Sequence, residues 1–424
     1  MRILFVSAHY PPDLGACATR VRELCTSWAA EGHEVHVLCG LPNHPTGVIP
    51  PEYRGRLVKR ELIDGVHVHR TWIYATPNSG TVRRSAAYGS FAASAVLLGQ
   101  RGIPDPDVLV ATSPQFLTAL AGAAIARQRG VPLVSEIRDL WPASVWEVGA
   151  MPRNHPVIKV LEQVERWLYR ESELVVVVSP SFQEAIARAT GGRAVDVPVI
   201  TNGVSLDRFD PDLDATAVKQ RFGLPTDVPL AVYAGTHGLS HGLETVLEAA
   251  KLAPEVHFVL VGEGARKQAL VELGRDLANV TFLPGQPAQA MPEIYAMTDI
   301  ALVPLRDLPL FRTVIPSKMF EIWAMETPLV LGVAGQAEDI VRASGAGLVV
   351  PPEDAAAMAA AVRELAADPD RRREMGRSGR DFVASNYDRK VLARRYLDLL
   401  QGVARDARGR ARGALSRVRS AVGV

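Results

Sequence analysis

The 424-residue sequence has few of the features that mark secreted or nucleic-acid-binding proteins. Its three cysteines, Cys17, Cys25 and Cys39, form no CxxC pair, which excludes a disulfide framework and a zinc knuckle and suits a reducing compartment. The formal net charge is +1, so no overall basic field favours nucleic acid as a partner. Residues 1–7 lack the long apolar core of a signal peptide and are typical of a buried strand. We therefore expect a cytoplasmic protein.

The sequence also lacks an apolar run long enough to cross a bilayer. One uncharged run, Ser85–Gln100, has 16 residues, whereas a spanning helix needs about 20 mostly apolar residues. Arg83, Arg84 and Arg101 flank this run. Two interpretations stay open: an Ala-rich helix half-buried in its own domain, or a helix in peripheral contact with the inner face of the cell membrane.

What the sequence does contain is an alternation of strands and helices in both halves. The chain is long enough for two domains, and continuous apolar runs such as Leu174–Val178 are expected of parallel strands buried on both faces. No GxGxxG follows the first strand of either half, which disfavours a dehydrogenase. The strands are predicted at 2–8, 33–39, 66–74, 107–113, 132–138, 174–180 and 197–201, and then at 229–235, 256–262, 280–284, 299–304, 329–333 and 347–350.

One stretch, residues 315–332, carries the strongest local signal. Pro316 and Ser317 favour a helix start, and Pro328 favours a stop before the apolar strand that follows. Glu321 lies about one turn into this helix, where a carboxylate either complements the helix dipole or binds the hydroxyls of a ribose or sugar. Apolar side chains at helical spacing predict one buried face: Met319, Phe320 and Trp323.

Residues 320–330 resemble the Glu-Ala-Met-Ala-x-Gly-x-Pro-Val-Val signature of family 4 retaining glycosyltransferases of GT-B fold. Further matches follow the family order along nearly the whole chain: a loop with Gly15, an Asn-Gly segment at 202–211, and glycine turns at Gly235, Gly262 and Gly335. Asp-Leu-Trp-Pro at 139–142 is similar to a subgroup, fucosamine-transferase-like, that assembles bacterial surface polysaccharides, often on lipid-linked acceptors.

The resemblance implies two Rossmann-like, doubly wound parallel-sheet α/β domains that face each other across a cleft. We expect an acceptor-side domain at 1–203, a donor domain at 204–385, and a helix at 386–400 that crosses back to the first domain. Residues 401–424 contain six arginines and one aspartate. This segment is expected to be a flexible basic tail, with a weak membrane-surface anchor as the alternative.

The implied reaction moves a hexosyl- or N-acetylhexosaminyl-type sugar from a nucleoside diphosphate, expected to be UDP, to a hydroxyl of a lipid-linked or polysaccharide-precursor sugar, with retention. In the family the departing β-phosphate takes the proton of that hydroxyl, and the protein orients the substrates and stabilises the leaving charge. No Asp-x-Asp motif is evident, and no metal or cofactor is expected besides the nucleotide sugar. A nucleotide-sugar epimerase on the same fold and a non-catalytic sugar-nucleotide-binding relative remain alternatives.

Three positions depart from the family pattern on the donor side. Thr236 and His241 stand where many members have Arg and Lys in the pyrophosphate loop, and Thr313 replaces the first acid of a Glu-x7-Glu pair. Lys318 is therefore expected to balance the diphosphate, with Arg312 as the second candidate, and Glu321 is expected to bind the ribose. The complete set implied for donor binding is Glu321, Lys318, Gly235, Thr236, His241, Gly262, Gly285, Arg312, Thr313, Gly335 and Glu338.

The other implied residues are hypotheses about catalysis and the acceptor. Asp139 and His237 are candidate catalytic helpers, and Gly15 and Arg138 are expected on the acceptor side. An Arg138–Asp139 structural pair is the alternative for the polar end of the fifth strand. His237 and His241 are four residues apart, but the glycines between and after them favour a loop, so no metal site is expected.

Overall fold

The computed structural model describes residues 1–13, 15–44, 46–76, 81–113, 115–142, 152, 154–191 and 197–422. The chain forms two compact units. Unit 1 contains Met1–Asn202 and Leu392–Val424, and unit 2 contains Gly203–Val391. Each unit is an α/β domain built on one sheet.

Unit 1 has a seven-stranded sheet in the order β3-β4-β2-β1-β5-β6-β7. All strands are parallel except β3, which pairs antiparallel with β4. The strands are β1 (Arg2–Val6), β2 (Glu34–Gly40), β3 (Val58–Ile63), β4 (Val66–Thr71), β5 (Val108–Thr112), β6 (Leu133–Ile137) and β7 (Leu174–Val177).

Two details of this sheet differ from the sequence prediction. The strand β3 was not predicted, although Asp64 and Gly65 both have positive φ and form the two-residue Asp-Gly turn that signals a hairpin. The strand predicted at 197–201 is only an isolated bridge between Val177 and Val199. Pro198 has no N–H with which to extend that ladder.

The described helices of unit 1 cover both faces of the sheet. On one face Ile3 and Phe5 pack with Trp28, and on the other Leu4 packs with Phe91. The helices are α1 (Ala16–Ala30), α2 (Thr81–Ser94), α3 (Phe116–Arg129), α4 (Pro156–Glu171) and α5 (Pro180–Ala189). The face predicted for α1 is buried as expected, through Val21, Leu24, Cys25 and Trp28.

The uncharged run at 85–100 is helical and half-buried. It forms most of α2 and continues as a π-helical turn, Ala95–Gly99. Phe91 and Ala95 are buried, whereas Leu97 is exposed. Among the described residues, none of the helices combines the length and the apolar character that crossing a membrane requires.

Unit 2 has a six-stranded parallel sheet in the order β10-β9-β8-β11-β12-β13. Its strands are β8 (Leu230–Ala234), β9 (His257–Val261), β10 (Val280–Leu283), β11 (Ile300–Pro304), β12 (Leu329–Gly332) and β13 (Gly347–Val349). Its helices are α6 (Ala215–Arg221), α7 (Glu244–Leu252), α8 (Lys267–Gly274), α9 (Met291–Ala296), α10 (Lys318–Ala324), α11 (Gln336–Ser344), α12 (Ala355–Ala367) and α13 (Pro369–Asn386). The predicted inner face of α10 is confirmed, since Met319, Phe320 and Trp323 are buried.

The last helix, α14 (Arg389–Val422), leaves unit 2 and packs in unit 1 from Leu392 onward. Trp28 Nε1 donates a hydrogen bond to the carbonyl oxygen of Ala393 (2.9 Å). The segment after residue 400, expected to be a flexible basic tail, continues α14 as a helix to Val422. Alanine and arginine are good helix formers, Ala404 is buried, and Arg408 binds Asp107 of unit 1 (2.5 Å).

Candidate functional site

In unit 2, the loop between β8 and α7 (residues 235–243) is held chiefly by backbone hydrogen bonds. The N–H of Gly235 donates to Val261 O (2.9 Å), that of His237 to Glu263 O (2.8 Å), and that of Arg266 to His237 O (2.9 Å). These bonds press the loop against the glycine turn after β9. A Cβ at Gly264 would lie 2.7 Å from the carbonyl carbon of His237, so this close approach requires glycine.

Lys318, the first residue of α10, lies at this loop. Its Nζ donates to the carbonyl oxygen of Ala234 (2.9 Å) and lies 4.2 Å from the centroid of the Tyr233 ring. The same Nζ would be 2.5 Å from a Cβ placed on Gly235. Burial lowers the pKa of Lys318 to about 8, opposed by the nearby Glu321. Lys318 is therefore mostly charged at neutral pH, directly beside the first glycine of the loop.

Tyr233, which the sequence analysis did not single out, holds the loop through a hydrogen bond. Its hydroxyl donates to the carbonyl oxygen of Thr236 (2.8 Å), and Thr236 itself is exposed. The ring of His241 lies 6.0 Å from the Tyr233 ring. Burial, followed by the charge of Lys318, lowers the pKa of His241, so His241 is a neutral neighbour of the lysine.

His237 has a different environment from the one expected of a catalytic helper. Its side chain is fully buried, with ring centroids 5.9 Å from Tyr233 and 6.4 Å from Phe282. Burial and then Lys267 lower its pKa to about 4. Both ring nitrogens lack a hydrogen-bond partner. In this position the imidazole is neutral and packs under the loop, away from any surface at which a proton could be exchanged with a substrate.

Glu321 lies one turn after Lys318 on α10, and it is partly buried. Burial raises the pKa of its carboxyl group, partly offset by Arg389, Arg208 and Lys318. The two arginines, which the sequence analysis missed, are positioned by backbone carbonyls: Arg389 Nε donates to Gly203 O (2.9 Å), and Arg208 Nη2 to Ala288 O (3.0 Å). Thus α10 presents a cation and a carboxylate on adjacent turns.

The glycine turns after β9 and β10 are tied together by two charged side chains that sequence reasoning also missed. Lys267 Nζ donates to Gly262 O (2.8 Å) and Leu283 O (2.7 Å). The N–H of Gly285 donates to Glu263 Oε1 (3.2 Å). Glu263 follows the glycine directly after β9, which is the sequence signal that could have identified it.

The remaining donor-side candidates lie around the start of α11. Gly335 precedes this helix and packs against the backbone of Arg312. Arg312 is exposed and pairs with Asp307 (3.5 Å), so its charge is already partly matched. Thr313 ends the short 3-10 segment Pro309–Thr313, and Glu338, in the first turn of α11, pairs with Arg342 (2.8 Å). Of the cations proposed for the diphosphate, Lys318 is the one at the Gly235 loop.

In unit 1, the loop between β1 and α1 is held by a buried carboxylate. Asp13 accepts hydrogen bonds from the backbone N–H groups of Asn43 (2.7 Å) and His44 (2.8 Å) through Oδ1. Its Oδ2 is 2.7 Å from Nδ1 of His9. Gly15, the residue before α1, lies beside the His44 ring. The Asp13 contacts span 30 residues of sequence, so no local pattern indicated them.

The carboxyl end of β6 carries Glu136, Arg138 and Asp139. Glu136 is fully buried and accepts from Arg20 Nη2 (2.9 Å) and from the hydroxyl of Thr112 (2.7 Å). Burial raises the pKa of Glu136, but Arg20, Arg138 and Thr112 outweigh it and lower the pKa overall. Asp139 as a whole residue is exposed, but the protein atoms around its carboxyl group partly desolvate it, which raises its pKa against the opposing charge of Arg138. Within the described residues, Nε and Nη1 of Arg138 have no hydrogen-bond partner, so neither atom bonds to Asp139.

Comparison with known families gives the two units the same assignment. Residues 15–203 match the family described as "Glycosyl transferase 4-like domain", and residues 214–382 match "Glycosyl transferases group 1". The chain is a family 4 glycosyltransferase of GT-B fold. This glycosyltransferase is 27% identical over 415 residues to the colanic acid biosynthesis glycosyl transferase WcaI of Escherichia coli K12, covering 95% of the chain and all of the relative.

Other relatives show how varied this glycosyltransferase family is. The chain is 30% identical over 279 residues to the GDP-mannose-dependent phosphatidylinositol monomannoside mannosyltransferase of Mycolicibacterium smegmatis, covering 63% of this chain and 72% of the relative. Sucrose-phosphate synthase of Thermosynechococcus elongatus has the same fold, with a TM-score of 0.71, 21% identity and coverage of 95% and 98%. Anabaena HepE in complex with UDP gives a TM-score of 0.66, 17% identity and coverage of 95% and 100%.

Metal-ligand clusters can be assessed in the described part of the chain. There, no group of three or more His, Cys, Asp or Glu side chains is arranged to hold a metal ion. That the sugar transfer needs no metal stays a prediction.

Proposed function

We propose that this glycosyltransferase moves a hexosyl- or N-acetylhexosaminyl-type sugar from a UDP-sugar to a hydroxyl group of a lipid-linked or polysaccharide-precursor sugar, with retention at the anomeric carbon. The observation that carries the donor half of the proposal is the position of Lys318 Nζ at the Gly235 loop, with Glu321 one turn further on α10. A cation beside a glycine loop is suited to a diphosphate. A carboxylate is suited to two ribose hydroxyls.

The position of Lys318 compensates for the cations that the loop lacks. With Thr236 and His241 in the loop, and His241 neutral, Lys318 is the positive side chain nearest to Gly235 among the groups described above. Backbone N–H groups of a glycine loop add partial positive charge. The charge that other family members place in the loop is thus supplied here from α10.

In the proposed reaction, the bond between the anomeric carbon and the β-phosphate oxygen breaks, and its electron pair stays on the diphosphate. The acceptor oxygen bonds to the same carbon, and its proton passes to the departing β-phosphate. Lys318 and the loop amides stabilise the negative charge on the leaving group. We propose no resident metal or cofactor. Asp139 remains a candidate helper, whereas the buried, neutral His237 is better suited to supporting the loop.

The acceptor and the location are proposed from weaker support. The WcaI relative is named for colanic acid biosynthesis, and the 139–142 segment resembles transferases of surface-polysaccharide assembly. A lipid-linked acceptor fits a cytoplasmic protein in peripheral contact with the inner face of the cell membrane. The choice of UDP is supported by the HepE complexes with UDP and UDP-glucose, while the mannosyltransferase relative is named as GDP-mannose-dependent.

Thermal stabilisation by a panel of nucleotides and nucleotide sugars tests the proposal. We expect UDP and one UDP-sugar to raise the melting temperature, and Lys318→Gln and Glu321→Gln to reduce this shift. Lys251→Gln is the matched control, because Lys251 is exposed and pairs only with Glu248 on α7 among its described contacts. The stabilising donor is then used with diphosphate-linked monosaccharide acceptors, and NMR of the product reports retention.

Other results would change the proposal in defined ways. Stabilisation by GDP in place of UDP would replace the donor and leave the reaction type. If no nucleotide or nucleotide sugar raises the melting temperature, a protein that does not use a nucleotide sugar is favoured. Interconversion of UDP-sugars without any acceptor would indicate an epimerase.

A further inference from the structure

Arg138, the residue after β6, has hydrogen-bond donors that the protein does not use. Its Nε and Nη1 atoms are buried, and neither has a hydrogen-bond partner. The side chain as a whole is only partly exposed. Buried polar groups are nearly always paired, and an unpaired donor on a charged group is especially costly to bury. An acceptor for these N–H groups is therefore expected from outside the described chain.

The neighbouring side chains do not supply an anion to Arg138. Both oxygens of Glu136 are occupied, Oε1 by Arg20 and Oε2 by Thr112. Neither Nε nor Nη1 of Arg138 bonds to Asp139 within the described residues. The thiol of Cys17 forms a side-chain hydrogen bond with Arg138, but burial raises the pKa of that thiol, so the sulfur is neutral and supplies no counter-charge. The positive charge of Arg138 has no directly bonded anion of its own.

The surroundings of Arg138 favour an anion. Cys17 lies in the first turn of α1, a 15-residue helix that begins after Gly15 without a side-chain cap and without an acidic residue in its first turn. The start of such a helix has a positive electrostatic potential. The charge of Arg138 and the start of α1 thus reinforce each other at the carboxyl ends of β1 and β6, the edge at which parallel sheets bind ligands.

We propose that Arg138 binds a phosphate group of the acceptor. This inference rests on the proposed function and extends it: unit 1 receives the lipid-linked acceptor, and this acceptor carries a phosphate or diphosphate between its sugar and its lipid. Phosphate is the expected ligand because its oxygens accept several charge-assisted hydrogen bonds from one guanidinium. The sugar-nucleotide diphosphate has the same chemistry, so the experiment must separate the two sources.

The experiment uses the full-length protein with Lys318→Gln to weaken the donor site. Inorganic diphosphate and geranyl diphosphate are titrated into this variant and into the double variant that also carries Arg138→Met. We expect Arg138→Met to weaken the binding of both by at least about tenfold, as expected for loss of a charge-assisted hydrogen-bond donor. Arg138→Lys should retain part of the affinity. Arg56→Met, at an exposed arginine of unit 1, controls for the loss of one charge.

UDP binding to protein with Lys318 intact separates the two sources. We expect Arg138→Met to leave the UDP affinity unchanged within about twofold, because the nucleotide is bound in unit 2. We also expect the ligand-free variant to melt at the same or a higher temperature, since an unpaired buried charge is removed.

Three outcomes would overturn the inference. Loss of all diphosphate binding in Lys318→Gln alone would show no phosphate site in unit 1. A fall in UDP affinity in Arg138→Met would assign the arginine to the donor. A lower melting temperature of the ligand-free variant, with diphosphate binding unchanged, would make Arg138 a structural residue. If no nucleotide stabilises the protein and the diphosphate results still hold, the proposed function fails and the phosphate site stands.

Discussion

The loop after β1 in unit 1 and the loop after β8 in unit 2 occupy equivalent places in two parallel sheets, yet they are held by different means. Side chains fix the first, through Asp13 and its bonds to Asn43 and His44. Backbone groups fix the second, through the N–H of Gly235 and that of His237. A loop held by its backbone leaves side chains such as Thr236 free to vary, whereas a loop held by one carboxylate depends on that residue.

The largest loss of stability is expected when the backbone contacts of the loop after β8 are disrupted. Gly264→Ala should destabilise unit 2 by about 3 kcal/mol, because the added methyl group would overlap the backbone of His237. UDP stabilisation should be lost with it. Gly238→Ala in the same loop is the control, since its φ is −110° and the nearest atom to a Cβ is 3.4 Å away. Equal melting temperatures for the two variants would contradict the role of the backbone contact.

A smaller loss of stability is expected when the Asp13 hydrogen bonds of the loop after β1 are removed. Asp13→Ala leaves the buried N–H groups of Asn43 and His44 without their acceptor, which should cost about 2 kcal/mol. Asp13→Asn keeps an oxygen for these two N–H groups and should lose less. Thermal unfolding measures both. Asp105→Ala, at an exposed aspartate, is the control. If Asn were as damaging as Ala, the backbone bonds would not be the main contribution of Asp13.

The smallest effect is expected on UDP affinity, when Lys318 beside the loop after β8 loses its proton. The pKa of Lys318 is lowered to about 8, so the charged form falls from most of the population at pH 7 to a minority at pH 9. Since the diphosphate binds the charged form, the UDP affinity should weaken by up to about tenfold over this interval. Titration calorimetry at both pH values measures this. Lys318→Gln should flatten the profile, and an unchanged slope in that variant would assign the titration to another group.

The lowered pKa of Lys318 also affects the free energy of unfolding. This free energy should rise with pH, whereas the UDP affinity falls. Lys318 has a lower pKa in the folded protein than its ordinary 10.5, so between about pH 8 and 10.5 the unfolded chain binds more protons at this residue. The penalty for burying the charged lysine is therefore fully present below pH 8 and is relieved as the pH rises through this window.

The parts of the molecule that could be predicted from sequence are those with local signals. The helix α10 with its buried face, and the parallel strands of both sheets, follow from periodicity and from proline and glycine at their ends. The positions of Lys318 and Glu321 on that helix follow from the same segment. Their roles as donor-binding residues came from family resemblance and stay predictions.

What could not be predicted depends on contacts between distant residues. Asp13 and Asn43 are brought together by the order of β1 and β2 in the sheet. Glu136 hydrogen-bonds to Arg20, 116 residues away in sequence, and not to Arg138, although Arg138 is only two residues from Glu136 in the chain. The support that Tyr233 gives the loop is likewise invisible, because an aromatic residue in a strand usually indicates core packing.

The two charges on α10 lie three residues apart, which is about 4.5 Å along the helix axis. Because one rigid element carries both, the spacing between the cation and the carboxylate does not change when the surrounding loops change. A segment of this kind can be transplanted as a unit: residues 316–324 moved into a relative would transfer both groups in register. Chimeras between transferases that use different donors could therefore keep α10 intact and exchange only the loops around it.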